Sequence, residues 1–342
     1  MSCKTDKDFT PKNISKVEIE TLKQDSLLNV RALEVYQNEG VFATAAGSFG
    51  GILQEHVSRN GKSVNQVLVI DTIQAEGGNP NFRSMSMANC TFFLLSITSP
   101  SYLYKIDKDT LELVYQEHHP KAFYDSMAFW NDQEGIAIGD PTDDCMSIII
   151  TRDGGNTWHK MPCDSLPKAK KGEAAFAASD TNIAIVGDKT WVATGGISSR
   201  VLYSPDKGKS WQVFNTPIIQ GKETTGMYSI DFYDDKNGFA IGGDYTNPEA
   251  NVANKIRTTD GGKTWQLVAD GSGPGYRSCV QYVPNAQAKA LVAVGFKGID
   301  YSSDAGHTWS HLSDESFYTI RFLNDSTAYA AGQGRISKLM FR

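Results

Sequence analysis

The stretch Thr258-Thr259-Asp260-Gly261-Gly262-Lys263-Thr264-Trp265 has the pattern Ser/Thr-x-Asp-x-Gly-x-Thr/Ser-Trp. The side chain of Asp260 can accept hydrogen bonds from the backbone N–H groups of its own turn. Gly262 can adopt a positive φ angle without steric cost, and Trp265 brings a large apolar surface to the strand that follows. We therefore interpret the stretch as a β-hairpin turn with a built-in clamp.

The same pattern occurs three more times in this 342-residue chain: Thr151–Trp158, Ser204–Trp211 and Ser302–Trp309. The four motif aspartates follow one another at intervals of about 45–55 residues, the period expected of propeller blades. Helix signals are nearly absent, and short runs rich in β-branched and aromatic residues alternate with Gly, Asn, Asp and Pro turns. The chain therefore predicts an all-β, seven-bladed β-propeller over residues 15–342, with each motif between the third and fourth strands of a blade.

The two ends of the chain are predicted to share a blade. The seventh unit, residues 317–342, is too short for four strands. Ser15–Leu22 alternates polar and apolar residues, so we expect it to be the outer strand of the last blade and to close the ring.

In the fourth unit we expect the first strand at Ala175–Ala177 and the second at Trp191–Gly195. Residues 1–14 are expected to form a flexible tether.

Composition narrows the classes of function. The net charge is −6 and the basic residues are scattered, whereas a nucleic-acid-binding chain usually carries a basic stripe. The longest apolar run, Phe92–Ile97, is far too short to cross a bilayer. The His and Cys residues lack the spacing of a metal site, and no phosphate-binding loop or dinucleotide motif occurs in context. We therefore expect no nucleic acid, no transmembrane segment, no metal and no cofactor.

The five cysteines leave two questions open. Cys145 and Cys163 flank one motif symmetrically, so they either form a disulfide across its hairpin or remain two unpaired small core residues. The start, Met1-Ser2-Cys3-Lys4-Thr5-Asp6, resembles the end of a bacterial lipoprotein signal, in which the cysteine becomes lipidated. We therefore expect a periplasmic or outer-membrane-anchored lipoprotein attached through Cys3 if a signal precedes Met1, and a cytoplasmic protein otherwise.

The four motifs resemble the Asp-box, also called the bacterial neuraminidase repeat, which marks propellers that include sialidases and other glycosidases. The variant Asp-Gly-Gly-Lys-Thr-Trp and the spacing of seven units more closely resemble the photosystem II stability/assembly factor family. Both resemblances imply a propeller in which the box is a structural turn. The residues with this structural role are Asp153, Trp158, Asp206, Trp211, Asp260, Trp265, Asp304 and Trp309.

Candidate functional residues are expected at the end of the blades opposite to the boxes. In this connectivity, the loops entering the first strands and the loops between the second and third strands share that end. Alignment of the first strands places charged or phenolic residues near their starts: Arg31, Arg83, Asp125, Glu173, Tyr228, Arg277 and Tyr318. The loops after the second strands add four more: Asp140, Arg200, Asp244 and Tyr245.

Three interpretations of these residues are open. In the first, the arginines bind an acidic peptide, a carboxylate ligand or a protein partner of a monomeric, assembly-factor-like propeller. In the second, the charged groups only neutralise one another around the channel mouth. In the third, which the sialidase resemblance implies, the protein is an exo-acting glycoside hydrolase. Three arginines would then hold the substrate carboxylate, Asp125 would be the acid/base, and Glu173 and Tyr228 would form the nucleophile pair.

The chain departs from the sialidase pattern in three respects, one of which is that the order of the site roles around the ring differs. Sialidases of that class have six blades, whereas seven units are predicted here. Their first arginine lies in the sequence Arg-Ile-Pro, whereas Arg31 lies in Val-Arg-Ala. We therefore rank binding as the first function and hydrolysis as the alternative.

Overall fold

The structure, a computed structural model, describes residues 14–36, 39–57, 62–107 and 110–342. Within these ranges the chain consists of strands, turns and irregular segments, and a single 3-10 turn at Cys163–Ser165 is the only helical element there. That part of the chain holds no helix of the length and apolarity needed to cross a membrane. Cys3 and most of the predicted tether lie outside the described residues.

The strands are named in chain order. Those of the first half are β1 (Val17–Tyr36), β2 (Glu39–Thr44), β3 (Ser48–Val57), β4 (Lys62–Thr72), β5 (Phe82–Ala88), β6 (Thr91–Ser96), β7 (Ser101–Asp107), β8 (Thr110–Glu117), β9 (Tyr124–Phe129), β10 (Gly135–Gly139), β11 (Ser147–Thr151) and β12 (His159–Lys160). Those of the second half are β13 (Glu173–Ala174), β14 (Ile183–Val186), β15 (Lys189–Ala193), β16 (Gly195–Gly196), β17 (Arg200–Ser204), β18 (Gln212–Asn215), β19 (Thr225–Phe232), β20 (Gly238–Asp244), β21 (Lys255–Thr258), β22 (Gln266–Leu267), β23 (Cys279–Tyr282), β24 (Leu291–Gly295), β25 (Gly298–Ser302), β26 (Ser310–Ser313), β27 (Thr319–Phe322), β28 (Thr327–Ala331) and β29 (Gln333–Phe341).

The described strands form six sheets. Four sheets have four strands each, in the orders β5-β6-β7-β8, β9-β10-β11-β12, β14-β15-β17-β18 and β23-β24-β25-β26. The short strands β13 and β16 extend the group β19-β20-β21-β22 to six strands. The remaining sheet has seven strands in the order β27-β28-β29-β1-β2-β3-β4, so β1 joins the beginning of the chain to its end.

β1 is long enough to pair with two different neighbours. Its first part pairs antiparallel with β29, with Val17 opposite Phe341. Its second part, from Val30 onward, pairs antiparallel with β2. The backbone N–H of Ser15 also donates a hydrogen bond to the carbonyl of Arg342. The N-terminal strand therefore lies beside the last strand of the chain, where it supplies a fourth strand to the group β27-β28-β29.

The first strands of successive groups contact one another in chain order. β1 contacts β5, β5 contacts β9, β9 contacts β14, and β14 contacts β19. β19 contacts β23, β23 contacts β27, and β27 contacts β1. Apolar side chains fill the spaces between neighbouring groups, and one cluster packs Phe93 of β6 against Met127, Ile149 and Trp158 of the group that follows. The hydrophobic core is thus divided into layers between adjacent sheets.

The four Asp-box turns share one hydrogen-bond pattern. In the turn that contains Asp260, the carboxylate accepts the backbone N–H of Thr264 at 3.0 Å and its hydroxyl at 2.7 Å. The hydroxyl of Thr258 donates to the same carboxylate at 2.8 Å and accepts the N–H of Gly262 at 3.0 Å. The same four bonds recur at Asp153, Asp206 and Asp304. Each aspartate therefore clamps its own hairpin.

The box turns also bind the neighbouring sheet. Gly262 has a φ angle of 83°, and a Cβ at this position would lie 2.9 Å from the indole nitrogen of Trp191 on β15. That indole N–H donates to the carbonyl of Gly261 at 2.8 Å. Trp265 is buried, and its ring centroid lies 5.9 Å from that of Phe232. A side chain at position 262 would push the turn away from its neighbour, so this position requires glycine.

The strand predicted at Ala175–Ala177 is wrong, because the first strand of the fourth group is β14. Residues 175–182, called the central segment below, lie among the first strands of the other groups. Small Ala and Ser side chains allow this close approach and have little tendency to form strands. The hydrogen bonds of the central segment reach six other first strands or the residues just before them. The segment accepts the following hydrogen bonds from them: Ala178 O from Arg31, Ala177 O from Arg83, the Asp180 carboxylate from the N–H groups of Met85 and Met127, Thr181 O from the N–H of Ile230, and Ser179 O from the hydroxyl of Thr319. It also donates a hydrogen bond from Ser179 Oγ to the carbonyl of Ser278.

Cys145 and Cys163 form a disulfide, which decides between the two alternatives that the sequence leaves open. Their Cα atoms lie 5.5 Å apart, and the bond closes a loop that contains β11, β12 and the intervening Asp-box. Cys90 and Cys279 are free. Closure of a loop of this size stabilises a folded chain by about 3 kcal/mol in the chain-entropy account.

Candidate functional site

A cavity of about 580 Å³ lies where the first strands begin. Arg31 of β1, Arg83 of β5 and Tyr228 of β19 line it, together with Tyr318, which immediately precedes β27. Residues 174–178, which include the start of the central segment, also contribute to the lining. No Asp-box residue of the described chain contributes to the lining. The cavity therefore lies at the end opposite to the box turns, as antiparallel connectivity requires.

The structure brings some of the predicted site residues together and separates others. Six of the predicted residues line the cavity: Arg31, Arg83, Asp140, Tyr228, Tyr245 and Tyr318. Five do not line it: Asp125, Glu173, Arg200, Asp244 and Arg277. Sequence reasoning did not identify several further lining residues: Ile97, Phe123, Phe176, Glu223, Tyr276 and Phe296.

The two arginines of the cavity donate to backbone carbonyl groups. Nη1 of Arg31 donates to the carbonyl of Ala178 at 2.9 Å, and its guanidinium carbon lies 3.7 Å from the ring centroid of Tyr318. Nε of Arg31 is buried without a hydrogen-bond partner. Arg83 donates from Nε to Asn81 at 2.9 Å and from Nη1 to the carbonyl of Ala177 at 3.3 Å. Among the described residues, neither guanidinium has a carboxylate within ion-pair distance.

Burial disfavours the charged form of both guanidinium groups. Burial lowers the pKa of Arg31 below its ordinary value. Burial and the nearby charge of Arg31 lower the pKa of Arg83 to about 10. Both groups remain protonated at neutral pH, so two positive charges stay in a partly buried cavity at a cost that a bound anion would reduce.

Two carboxyl groups lie near the arginines without neutralising them fully. Asp125 is completely buried, and neither carboxylate oxygen has a hydrogen-bond partner of normal geometry in the described chain. Burial and the charge of Asp140 raise the pKa of Asp125 well above its ordinary value, although the backbone of Ala177 and the charge of Arg83 act in the opposite direction. Burial raises the pKa of Asp140 to about 6 against the hydrogen bond from the N–H of Ala175. Burial therefore disfavours the ionised form of Asp125, whereas Asp140, with a pKa of about 6, is largely ionised at neutral pH.

Four of the other charged groups neutralise one another in pairs. Arg200 and Glu173 form a buried two-point contact, with Nε to Oε1 at 3.0 Å and Nη2 to Oε2 at 2.6 Å. Arg277 and Asp300 form a second buried pair, with Nη2 2.6 Å from Oδ2. Each pair satisfies charges that would be costly to bury alone. These four groups therefore neutralise one another, as the second interpretation of the sequence expects. Arg31 and Arg83 do not take part in these pairs.

The predicted nucleophile pair is not assembled in the structure. The hydroxyl of Tyr228 donates to the carbonyl of Thr224 at 2.9 Å, and burial raises its pKa above the ordinary value. Glu173, its predicted partner, is bound to Arg200.

Asp244 is another predicted site residue that does not line the cavity. Its carboxylate accepts hydrogen bonds from the N–H and the hydroxyl of Thr246 at 2.9 and 2.6 Å.

Aromatic side chains form a large part of the cavity wall. The rings of Phe176 and Tyr228 are stacked with their centroids 3.9 Å apart. Tyr276 packs edge-on against Tyr228 at 4.7 Å and lies 5.3 Å from Phe296. Tyr245 lies 6.4 Å from both tyrosines. The cavity thus combines charged groups with a cluster of packed aromatic rings.

Comparison with known proteins agrees with this architecture. A family model described as the BNR/Asp-box repeat matches residues 256–267, which include the third box. No curated protein matches the sequence. The repeated turns and the all-β architecture define an Asp-box β-propeller, as the motifs predict.

Three solved structures illustrate the class of fold. YCF48 bound to a D1 peptide has a TM-score of 0.63 at 12% identity, over 98% of this chain and 96% of that chain. YCF48 from Cyanidioschyzon merolae has a TM-score of 0.62 at 11% identity, over 96% and 98% of the two chains. A GH74 xyloglucanase from Xanthomonas campestris has a TM-score of 0.64 at 12% identity, over 94% of this chain and 53% of its own. The chain therefore resembles YCF48, a photosystem II assembly factor, in fold.

Proposed function

We propose that this protein is a binding propeller that engages an anionic group of a protein partner at the cavity lined by Arg31 and Arg83. One observation carries the proposal: two partly buried guanidinium groups share a cavity of about 580 Å³, and neither has a carboxylate partner in the described chain. Arginine binds carboxylates through directed, charge-assisted hydrogen bonds. An acidic partner would supply the missing negative charge.

The architecture supports a rigid, ring-shaped scaffold for this site. We infer seven four-stranded blades, with β1 supplying strands to the first and last of them. The first strands of these groups contact one another in a cycle, and the central segment makes hydrogen bonds to five of them and to Ser278, just before a sixth. The guanidinium groups of Arg31 and Arg83 are held there by hydrogen bonds to carbonyl groups of the central segment. This rigidity favours recognition, and the protein is proposed to act as a monomer.

The comparison with YCF48 supports binding of a peptide, since a propeller of similar fold has been observed with a peptide bound. Hydrolysis has weaker support. A glycosidase of the predicted type needs a third arginine and an activated tyrosine in the site. Arg277 is instead paired with Asp300, and Tyr228 donates to a backbone carbonyl. A xyloglucanase neighbour at 12% identity supports the fold alone.

The function is tested with immobilised protein and pools of randomised acidic, neutral and basic peptides. Wild type should retain the acidic pool, and the variant Arg31→Gln/Arg83→Gln should lose that retention without a change in melting temperature. Arg152→Gln is the control, because Arg152 forms an exposed ion pair with Glu134 at a box turn. Equal retention of the acidic pool by all three proteins would contradict the proposal, as would turnover of chromogenic sialosides that disappears in the double variant.

We also propose that the protein is exported and anchored through Cys3. The disulfide between Cys145 and Cys163 supports this location, because disulfides persist mainly in oxidising compartments. Mass spectrometry of the N-terminal peptide from the native host should find a lipid on Cys3, and Cys3→Ser should release the protein from membranes. An unmodified Cys3 in a cytoplasmic fraction would disprove the location and leave the binding proposal intact.

A further inference from the structure

Large apolar side chains are exposed on one side of the cavity end. They lie on the loops that follow the second strands of three successive groups: Ile197 (44% exposed), Tyr245 (48%), Val252 (59%) and Phe296 (36%). Tyr245 and Phe296 line the cavity itself. Ile197 lies against Gly172, two residues before the cavity floor at Ala174. We call these four residues the apolar arc.

The apolar arc and the arginine pair occupy different sectors of the same end. Arg31 and Arg83 belong to β1 and β5, whereas the arc belongs to the groups that begin with β14, β19 and β23. In the cyclic order of the first strands, β9 and β27 separate the two sectors. A partner that touches both must therefore reach across the cavity.

The chemistry of the arc indicates what such a partner is made of. Tyr245 and Phe296 offer flat rings, but Ile197 and Val252 are aliphatic and offer neither hydrogen bonds nor a ring on which a sugar could stack. Each exposed apolar side chain gains free energy when a partner covers it. An inorganic anion would satisfy Arg31 and Arg83 but would leave the arc in contact with water. Carboxylates together with apolar side chains on one flexible chain would satisfy both sectors.

We propose that the partner docks through an extended peptide segment that carries both acidic and large apolar side chains. Its carboxylate binds Arg31 and Arg83, and its apolar side chains cover Ile197, Tyr245, Val252 and Phe296. This inference rests on the proposed function and adds apolar contacts with the arc to the recognition of the anionic group. The segment spans the cavity from the arginine sector to the arc, so affinity depends on both kinds of side chain.

The test uses three synthetic peptides of equal length with amidated C-termini, so that only side-chain carboxylates are compared. One combines Glu with Leu and Phe, the second combines Glu with Ser and Gln, and the third combines Leu and Phe with Ser. Binding to the full chain is measured by isothermal titration calorimetry without a dye label. The arc variant is Ile197→Ser/Val252→Ser. Its matched control is Leu113→Ser/Leu267→Ser, which changes exposed leucines on the outer strands β8 and β22.

The acidic–apolar peptide should bind wild type about tenfold more tightly than the acidic–polar peptide, as the burial of one or two apolar side chains implies. The arc variant should remove this difference, and the control variant should keep it. Arg31→Gln/Arg83→Gln should weaken binding of both acidic peptides by about tenfold or more.

Other outcomes separate the two proposals. Equal affinity for both acidic peptides, with loss of both in the arginine variant, would overturn the apolar half and leave the anion-binding function standing. Failure of every peptide to bind, with no effect of the arginine variant, would overturn both. Binding of a uronic acid oligosaccharide in place of the peptides would overturn the peptide assignment in favour of an anionic glycan.

Discussion

Arg31 and Arg83 differ from Arg200 and Arg277 in their partners. The latter two each contact a buried carboxylate at 2.6 Å, whereas the cavity arginines contact backbone carbonyls of the central segment. Carbonyl groups orient a guanidinium without cancelling its charge. Asp140 lines the cavity, and burial raises its pKa to about 6. The net charge of the cavity therefore depends on pH in the physiological range.

We expect the affinity for an acidic peptide to rise as the pH falls from 7.5 to 5.5. Protonation of Asp140 removes one negative charge from the cavity, while side-chain carboxylates of the peptide remain ionised. The gain should be roughly threefold to tenfold, the effect of one charge in a partly buried site. Asp140→Asn should bind at pH 7.5 as wild type binds at pH 5.5. Calorimetric titrations that give parallel pH profiles for the two proteins would contradict this assignment.

Asp260→Ala should lower the free energy of unfolding by about 1–3 kcal/mol, because the Thr264 N–H and hydroxyl lose a charged acceptor. Burial opposes ionisation of Asp260, but hydrogen bonds from Thr264 outweigh it and lower the pKa below the ordinary value. A lowered folded-state pKa gives a contribution that is complete above about pH 4 and lost as the pH falls through the folded-state pKa. The difference between wild type and variant in urea unfolding should therefore shrink from pH 7 to pH 3. Asp143→Ala, at an exposed position outside the boxes, should show no such difference.

The sequence predicted the Asp-box turns in detail because their clamp is local: the four hydrogen bonds made by the aspartate and by the first Ser or Thr join residues within one eight-residue stretch. The site was harder to predict, as the pair Tyr276 and Arg277 shows. Alignment selected Arg277, but Tyr276 lines the cavity and Arg277 turns to Asp300. Adjacent residues of an extended chain point to opposite sides, so a shift of one residue exchanges the two. The position of Asp300, 23 residues away, decides the outcome.

The central segment illustrates the same limit for whole elements. The run from Ala175 to Ala177 occupies the sequence position where a first strand was expected, and its composition alone does not distinguish a weak strand from an irregular segment. The difference arises from polar contacts distant in sequence, such as Asp180 with the N–H groups of Met85 and Met127. Such contacts exist only after the surrounding strands have assembled. They also hold the carbonyls that orient the two cavity arginines.

The disulfide-bonded hairpin is the element whose stability can be changed chemically. Cys145→Ala/Cys163→Ala should lower the free energy of unfolding by about 2–4 kcal/mol, because the unfolded chain regains the freedom of the closed loop. Thermal or urea unfolding with and without reductant measures the effect. Reductant should destabilise wild type to a similar extent and leave the double variant unchanged. Cys90→Ala serves as the control at a free cysteine, and equal wild-type midpoints in oxidised and reduced buffer would count against the bond.

For the molecule as a whole, repetition explains why so much of the architecture could be predicted from the sequence. Four nearly identical turns at regular spacing set the positions of the strands around them, and the order of strands within each group followed from short connections. The pairing of the two chain ends could also be predicted, because a last unit with too few strands needs a strand from another part of the chain. β1 differs from the expectation in its length: one strand spans both the pairing with β29 and the pairing with β2.

Removal of residues 1–24 tests whether this junction closes the ring. The deletion takes away the part of β1 that pairs with β29 and exposes the edge of that strand. Val17 and Ile19 also pack against a core cluster that includes Leu339 and Phe341. The melting temperature should fall by at least about 5 °C, or the protein should associate through the open edge.

Deletion of residues 1–13 alone is the matched control, since it removes none of the pairing with β29 and should leave the melting temperature unchanged. Calorimetry and light scattering of the two truncated proteins distinguish loss of stability from association. The protein that lacks residues 1–24 could instead stay monomeric and keep the melting temperature of the wild type. That result would mean that β1 pairs with the last group but is not needed to close the ring. The rigid scaffold proposed for the cavity would then have to come from the central segment alone.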